Sequence, residues 1–599
     1  MSVQISDQKP VKKAGACDAI TLEVVAGALR STVREMESVI ERTAMSPFIR
    51  EKKDFNAGIF SGDAQLVGTS GIQASLNTVE AIFQDFPRET IRPGDIYWYN
   101  DCYASNGAVS HTPDQVLLRP VFADGEIVAF TQSWAHFNDI GGLHPGTLSP
   151  EAKELFHEGI IVPPVRLARN DEINEDLVRM FARNSRYPDM VRGDIRALLA
   201  AVKLGERRMT DIVARFGADV VADAFAQLIA RTAAEVLARA RKRIPVGEYE
   251  FTEILDSDGQ GNGPFNISYR LSVGHNRISF DASESSDQTP GPFNFLMSPE
   301  SPATTLAGFL LQGDPRYPSN AGTARVLDEI VLREGSLLKP RYPAALGMRG
   351  VTAMRCQAAW MGLLAKATNG DINGSNSSYV VCYVRGRDAD GKPFLITDPI
   401  GVGYGARPFA DGNNGIYLSA NENYPAEFVE SAYPLRIRRY AIAPDSGGAG
   451  RWRGGCGIIR DIELLATEGS MAIRLDSVKF PPWGVSGGKS GARGYCIINP
   501  GRPDEREIDP ISEGIVVKRG DIIRVITGGG GGWGHPYDRE PERVLDDVLG
   551  GFVSREKAAS EYGVVITAEN GIDIEGTEKL RLDRPEAKLF HRNEYLEQL

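Results

Sequence analysis

Between residues 370 and 535 short apolar runs are cut again and again by Gly, Pro, Asn and Asp. Glycine weakens a helix interior by about 1 kcal/mol per residue and proline by more, so this punctuation favours an antiparallel sheet or sandwich. The densest point is Gly528 to Gly532 in TGGGGGWGH, which lacks the Gly-Lys-Ser/Thr ending of a phosphate loop. Gly401-Val-Gly403-Tyr-Gly405 resembles a dinucleotide fingerprint only superficially, because Arg407-Pro408 and DGNNG follow it where a helix is required. Both are read as tight turns and close backbone approach. ATP, if used, is bound by another chain.

The rest of the chain carries other rhythms. Ile20, Leu22, Val24, Val25, Leu29, Val33, Met36, Val39 and Ile40 recur largely at spacings of three and four, predicting an amphipathic helix of about six turns that ends near Ser46-Pro47. DFNAGIFSGDAQLVG then reads as a hairpin around Ser61-Gly62-Asp63. Strand character returns from Asp95 to about Ile140, with a turn at Ala123-Asp124-Gly125. Residues 172–243 predict two or three long helices, Pro245-Val246-Gly247 breaks them, and residues 248–290 alternate as strands. RVLDEIVL reads as helical and SLLKPRYPA as a Pro-rich crossing.

A chain of 599 residues exceeds what one core of roughly 250 to 300 residues usually holds, so two to four units are expected. The fold class is α+β and multidomain, with mixed and antiparallel sheets, a helical segment and a β-rich C-terminal region. The expected divisions are a loose segment 1–18, a metal-site domain 19–246, a middle domain 247–370, a Gly-rich β domain 371–540 and a helical tail 541–599.

With 67 Lys and Arg against 79 Asp and Glu, the net charge of -12 supplies no positive field for phosphate backbones, so nucleic acid is not an expected partner. No run of about 18 apolar residues predicts a membrane span, and no apolar stretch behind Lys9, Lys12 and Lys13 forms a signal peptide. The six cysteines lack any C-x-x-C spacing and read as reduced thiols of a cytoplasmic protein. Cys102, inside the densest chemical motif, is read first as a small buried filler.

That motif holds four of the seven histidines, between positions 111 and 157. Two compact units stand out, His111-Thr-Pro-Asp114 and His136-Phe-Asn-Asp139. On adjacent strand edges they could bring two imidazoles and one or two carboxylates around one ion. That donor set suits zinc, manganese or ferrous iron, and a lone strand histidine buried in a core is the bland alternative. Asp139 and Glu158 are the candidates for acid/base work, or equally for hydrogen-bonding support.

Many ordered landmarks then point to a family. ERTAMSPFIREKKDFNAGIF, GDIYWYND, SHTPDQ, SWAHFNDIGG, LFHEGIIVPPVRL, GVGYGARPFADGNNG and TGGGGGWGHPYDREPERVLDDVLGGFVS occur in sequence. From about residue 20 to 565 the chain resembles the hydantoinase B/oxoprolinase family. The resemblance implies a metal-holding subunit of a hetero-oligomer whose hydantoinase A-type partner binds ATP and phosphorylates a small-molecule amide or ketone substrate. It implies Asp54, His111, Asp114 and His136 as metal ligands.

The family runs two chemistries, opening of cyclic amides and carboxylation of ketones. Its usual hydrolase wording resembles NDPYHGGTHLPD, whereas this chain reads NDCYASNGAVSHTPDQ. The main expectation is C–N hydrolysis of a cyclic amide or lactam. A ketone carboxylase subunit and a non-catalytic scaffold are the alternatives.

Overall fold

A computed structural model describes residues 17–70, 76–417 and 421–592, so most of the expected loose N-terminal segment lies outside the described residues. The chain divides into two compact units, one of Met1–Glu248, Leu271–Ser283 and Asp287–Arg349, the other of Tyr249–Arg270, Glu284–Ser286 and Gly350–Leu599.

The first unit is built on a seven-stranded sheet of β1 (Phe55–Ser61), β2 (Leu66–Thr69), β3 (Ile96–Tyr99), β4 (Asp114–Ala123), β5 (Glu126–His136), β6 (Val165–Arg169) and β7 (Glu172–Ile173). Its spatial order is β2-β1-β5-β4-β3-β6-β7, antiparallel throughout. Side chains alternate between two apolar layers. Ile59, Trp98, Leu117, Val121 and Ala129 join the core formed with the long helices. Phe60, Tyr97, Tyr99, Val116, Leu118 and Phe130 join a second core with Ile82, Ile91, Leu155 and Leu346. Both faces are covered, which is why these strands read as near-continuous apolar runs.

The predicted first helix forms over Ala19–Thr43, capped by the Asp18 carboxylate, which accepts from the Ile20 and Thr21 amides. Val25, Leu29, Val33, Met36 and Ile40 line its buried stripe. The chain leaves it through Met45 and Ser46, whose amides donate to Asp194 Oδ1 at 2.7 and 2.9 Å. The helical region resolves into Glu175–Asn184, Pro188–Phe216 and Ala218–Arg243. Gly205 admits close packing there, since a Cβ would lie 2.6 Å from Met36 Sδ.

RVLDEIVL is not the expected helix; only Arg325 and Val326 are helical, closing the 3-10 turn Ala321–Val326. Glu329–Val331 is a strand lying parallel to Ile278–Asp281, because the β-branched Ile330 and Val331 fit a pleated ladder better than a helical stripe.

Among the described residues, the two larger sheets within Gly350–Leu599 are antiparallel. One orders Pro393–Pro399, Val380–Arg387, Glu468–Leu475 and Ile511–Lys518; the other orders Leu435–Ile442, Ile458–Leu464, Ile522–Ile526, Tyr495–Ile498 and Arg506–Ile508. Val380, Val384, Ile396, Ile462, Ile473 and Val525 share their core. The five-glycine run is a backbone strut, as its reading for close approach required. The Gly530 amide donates to Gly455 O at 2.9 Å, Gly531 to Ser375 O at 2.8 Å and Gly532 to Lys489 O at 2.8 Å, three separate segments around one glycine run. A Cβ on Gly530 would lie 2.2 Å from the Tyr404 carbonyl carbon. Only glycine lets neighbouring backbones converge from several sides.

Also in this unit, buried Arg355 contacts Asp476 at 2.6 Å, Asp256 at 2.9 Å and Glu253 at 3.2 Å, and Arg592 pairs with Glu253. Among the described residues no helix is long and apolar enough to cross a membrane.

Candidate metal centre

The centre begins with a hairpin. Asp124 and Gly125 both adopt positive φ, 51° and 83°, as a two-residue primed turn between twisted strands requires. From the turn the ladder pairs Ala123 with Glu126 and Phe122 with Ile127, and after an irregularity Val121 with Ala129, down to Asp114 with His136. Val128 is therefore one extra residue on β5. Continued without that bulge, the register set at the turn would place Asp114 opposite Ala135 and turn His136 to the other face. The bulge makes Asp114 and His136 partners. His111 stands in the tight turn entering β4, where its carbonyl accepts from the Asp114 amide at 3.2 Å.

The three side chains converge. His111 Nε2 lies 2.9 Å from Asp114 Oδ1, His136 Nδ1 lies 3.1 Å from His111 Nε2, and His136 Nδ1 lies 3.3 Å from Asp114 Oδ1. All three are buried. Two ligands on one cation at bond lengths of roughly 2.0 to 2.1 Å are separated by about 2.9 to 3.4 Å, so this triangle has the dimensions of a shared coordination shell. The donors fit a borderline divalent ion such as zinc, manganese or ferrous iron.

The groups around the triangle set its protonation. His111 Nδ1 faces the Gly347 carbonyl at 3.3 Å, which makes Nδ1–H the donor and leaves the Nε2 lone pair facing inward. Burial, helped by the Arg349 cation, pushes His111 down to about 4, so the ring is neutral near pH 7. Burial alone would raise Asp114, but His111, His136 and Arg349 together hold its carboxylate well below the usual range. Phe48 packs on His136 with ring centroids 4.6 Å apart.

The other sequence candidates take different places. Asp54 lies outside the group whose ligand atoms fall within 4.8 Å of one another. It precedes β1 by one residue, and its carbonyl accepts from the His136 amide at 3.1 Å. Continuing the Phe55–Ala135 register by one place sets Asp54 opposite His136, in the same cross-strand row as Asp114.

Asp139 accepts from the Gly141, Gly146 and Arg186 amides, Ser185 Oγ and Arg186 Nη1 at 2.9–3.2 Å. Five donors tie it to its own loop and to the connection between Glu175–Asn184 and Pro188–Phe216.

Glu158 is fully buried in the 3-10 turn Leu155–Glu158. Its Oε1 accepts from the Leu346 and Gly347 amides at 2.9 and 2.5 Å, while Oε2 is buried with no hydrogen-bond partner. Burial raises this carboxyl to about 8 despite those two bonds. Gly347 thus links the two groups, with its amide on Glu158 and its carbonyl on His111. Cys102 is a buried filler whose thiol is pushed well up by burial and by the Glu158 and Asp114 carboxylates.

Gly347 and Arg349 are the contributors that sequence reasoning missed. Arg349 Nη2 lies 3.4 Å from Asp114 Oδ2 across 235 positions of chain, and no spacing rule reaches that far.

Residues 18–536 match the family described as Hydantoinase B/oxoprolinase. The chain is 31% identical over 587 residues to a protein of Pseudomonas sp. (strain NS671) that is provisionally named as the B component of a D-/L-hydantoinase, covering 94% of this chain and 98% of that one. It is similar to the crystal structure of the ATP-dependent caprolactamase of Pseudomonas jessenii, with 26% identity and a TM-score of 0.81 over 94% of this chain and 99% of that chain. Nucleotide-free acetone carboxylase shares the α+β fold, with a TM-score of 0.83 at 20% identity, over 94% of this chain and 82% of that one.

Proposed function

The chain belongs to the hydantoinase B/oxoprolinase family, and from that premise we propose that it is the metal-binding subunit of an ATP-dependent complex that opens a cyclic amide or lactam. The observation that carries this reading is the buried triangle of His111, Asp114 and His136. A divalent cation held there supplies Lewis acidity toward water and toward a carbonyl oxygen. Asp54, in the adjoining row, is proposed as the further ligand.

The chain's own groups have definable tasks. Gly347 fixes the His111 tautomer through its carbonyl, and Arg349 offsets the charge of Asp114. Glu158 is the proposed proton donor, since a carboxyl held near 8 is protonated at neutral pH and Oε2 is not committed to another group. The departing nitrogen of an opened amide requires such a proton. Asp139 positions the loop and touches no reacting atom in this scheme. ATP and the phosphorylation of the substrate are assigned to a hydantoinase A-type partner, in keeping with the component naming of the Pseudomonas relative.

A second reading, a ketone carboxylase subunit, is favoured by one observation: NDCYASNGAVSHTPDQ departs from the hydrolase wording by an insertion and by loss of the proline and first histidine. Reconstitution with a hydantoinase A-type partner separates the two. Ring opening of a lactam or hydantoin coupled to ATP without bicarbonate supports the hydrolase. ATP turnover only with a ketone and bicarbonate, with both consumed, replaces it by the carboxylase.

A further inference from the structure

We propose that Arg349 forms an oxyanion subsite beside the metal centre, which receives a carboxylate or phosphate group of the substrate; this rests on reading His111, Asp114 and His136 as cation ligands.

The first observation is how Arg349 is held. Its Nε donates to Ser110 Oγ at 2.6 Å, a neutral anchor, and its Nη2 lies 3.4 Å from Asp114 Oδ2. Charge-assisted N–H to carboxylate bonds run at about 2.7 to 2.9 Å, so that contact is long. Two other enclosed arginines hold their acids at shorter range. Arg539 grips both oxygens of Asp411 at 2.8 and 2.9 Å, and Arg355 contacts three carboxylates at 2.6–3.2 Å. Arg349, with its side chain only 14% exposed, keeps most of its planar fork uncommitted. A guanidinium so placed is shaped for a bidentate oxyanion.

The second observation is the loop that presents the guanidinium. Gly347, two residues before Arg349, donates its amide to Glu158 Oε1 at 2.5 Å and turns its carbonyl to His111 Nδ1 at 3.3 Å, so Arg349 is carried on backbone tied to a proposed ligand.

Charge closes the argument. A divalent ion, neutral histidines, one Asp114 carboxylate and one Arg349 guanidinium sum to 2 - 1 + 1 = +2, and adding Asp54 leaves +1. Uncompensated charge in a water-poor site is costly, so a ligand that completes this site brings negative charge.

The test uses the full chain loaded with Mn2+. Inorganic phosphate and acetate are titrated separately by calorimetry, and Mn-induced broadening of the phosphorus or carbon resonance reports proximity. Wild type is expected to bind one of the two, and which one binds identifies the group. Arg349→Gln should keep its manganese and lose at least about ten-fold in affinity for that anion, with Arg349→Lys recovering part of it. Binding of neither anion by Mn-loaded wild type, or equal binding by manganese-loaded Arg349→Gln or Arg349→Lys and wild type, overturns the subsite alone. Failure of wild type to take up manganese, zinc or ferrous iron overturns the centre itself, and the subsite with it.

Discussion

Asp114, the first residue of β4, lies directly across the ladder from His136, the last residue of β5, with Oδ1 3.3 Å from Nδ1. Nine steps separate Asp114 from Ala123 (123 - 114 = 9), and ten separate Glu126 from His136 (136 - 126 = 10). The Val128 bulge absorbs the difference.

Deleting Val128 therefore leaves nine steps on each arm and a regular hairpin with the same partners. The deletion variant is expected to retain its metal content. A variant with native circular dichroism and no bound metal contradicts this account of the register.

Glu158 imposes a pH dependence on stability. Its folded value of about 8 lies above the ordinary carboxyl value, so its contribution is fully present below the unfolded value near 4.3 and is lost as pH rises through 8. Between roughly pH 5 and 8 the loss is about 1.4 kcal/mol per pH unit. Glu158→Gln keeps an acceptor for the Leu346 and Gly347 amides and removes the titration. Urea midpoints of the metal-free proteins should show the variant gaining on wild type from pH 5 to pH 8, and parallel curves would refute the buried-acid description.

Gly530→Ala forces a Cβ to within 2.2 Å of the Tyr404 backbone and is expected to cost more than about 3 kcal/mol, with loss of soluble protein. Gly501→Ala, where φ is 75° but nothing lies within 4 Å, should cost about 1 kcal/mol. Thermal denaturation ranks the pair, and equal midpoints would deny the glycine strut.

Arg355→Met leaves Glu253, Asp256 and Asp476 short of one buried cation and should destabilise the protein by about 3 to 5 kcal/mol. Metal per folded molecule should stay at the wild-type level. Chemical denaturation and elemental analysis of the same sample check both halves.

Much of the first unit was legible because its helices are amphipathic and its hairpins carry their turn residues, as Val25 to Ile40 and Asp124-Gly125 illustrate. The helix Arg349–Ala367 was not, since Val351, Cys356, Trp360, Leu363 and Leu364 bury it nearly all round and leave no polar face to set a period. RVLDEIVL misled because its leucine and valine spacing suits a helix while its β-branched residues find a strand partner. At the site, the His-x-x-Asp units advertised the donors, but the Val128 bulge that aligns them has no composition signal. Arg349 and Gly347 reach the centre only through tertiary folding, across 235 and 236 positions of chain, so no local spacing signals them.

The most direct test of the central claim is elemental analysis of the purified full chain and of His111→Ala/His136→Ala. Wild type should carry about one divalent ion of zinc, manganese or iron per chain, and the double variant should fall to background while keeping native circular dichroism. Equal metal content in the two proteins, or none in wild type after incubation with all three ions, would contradict a metal centre at this triangle.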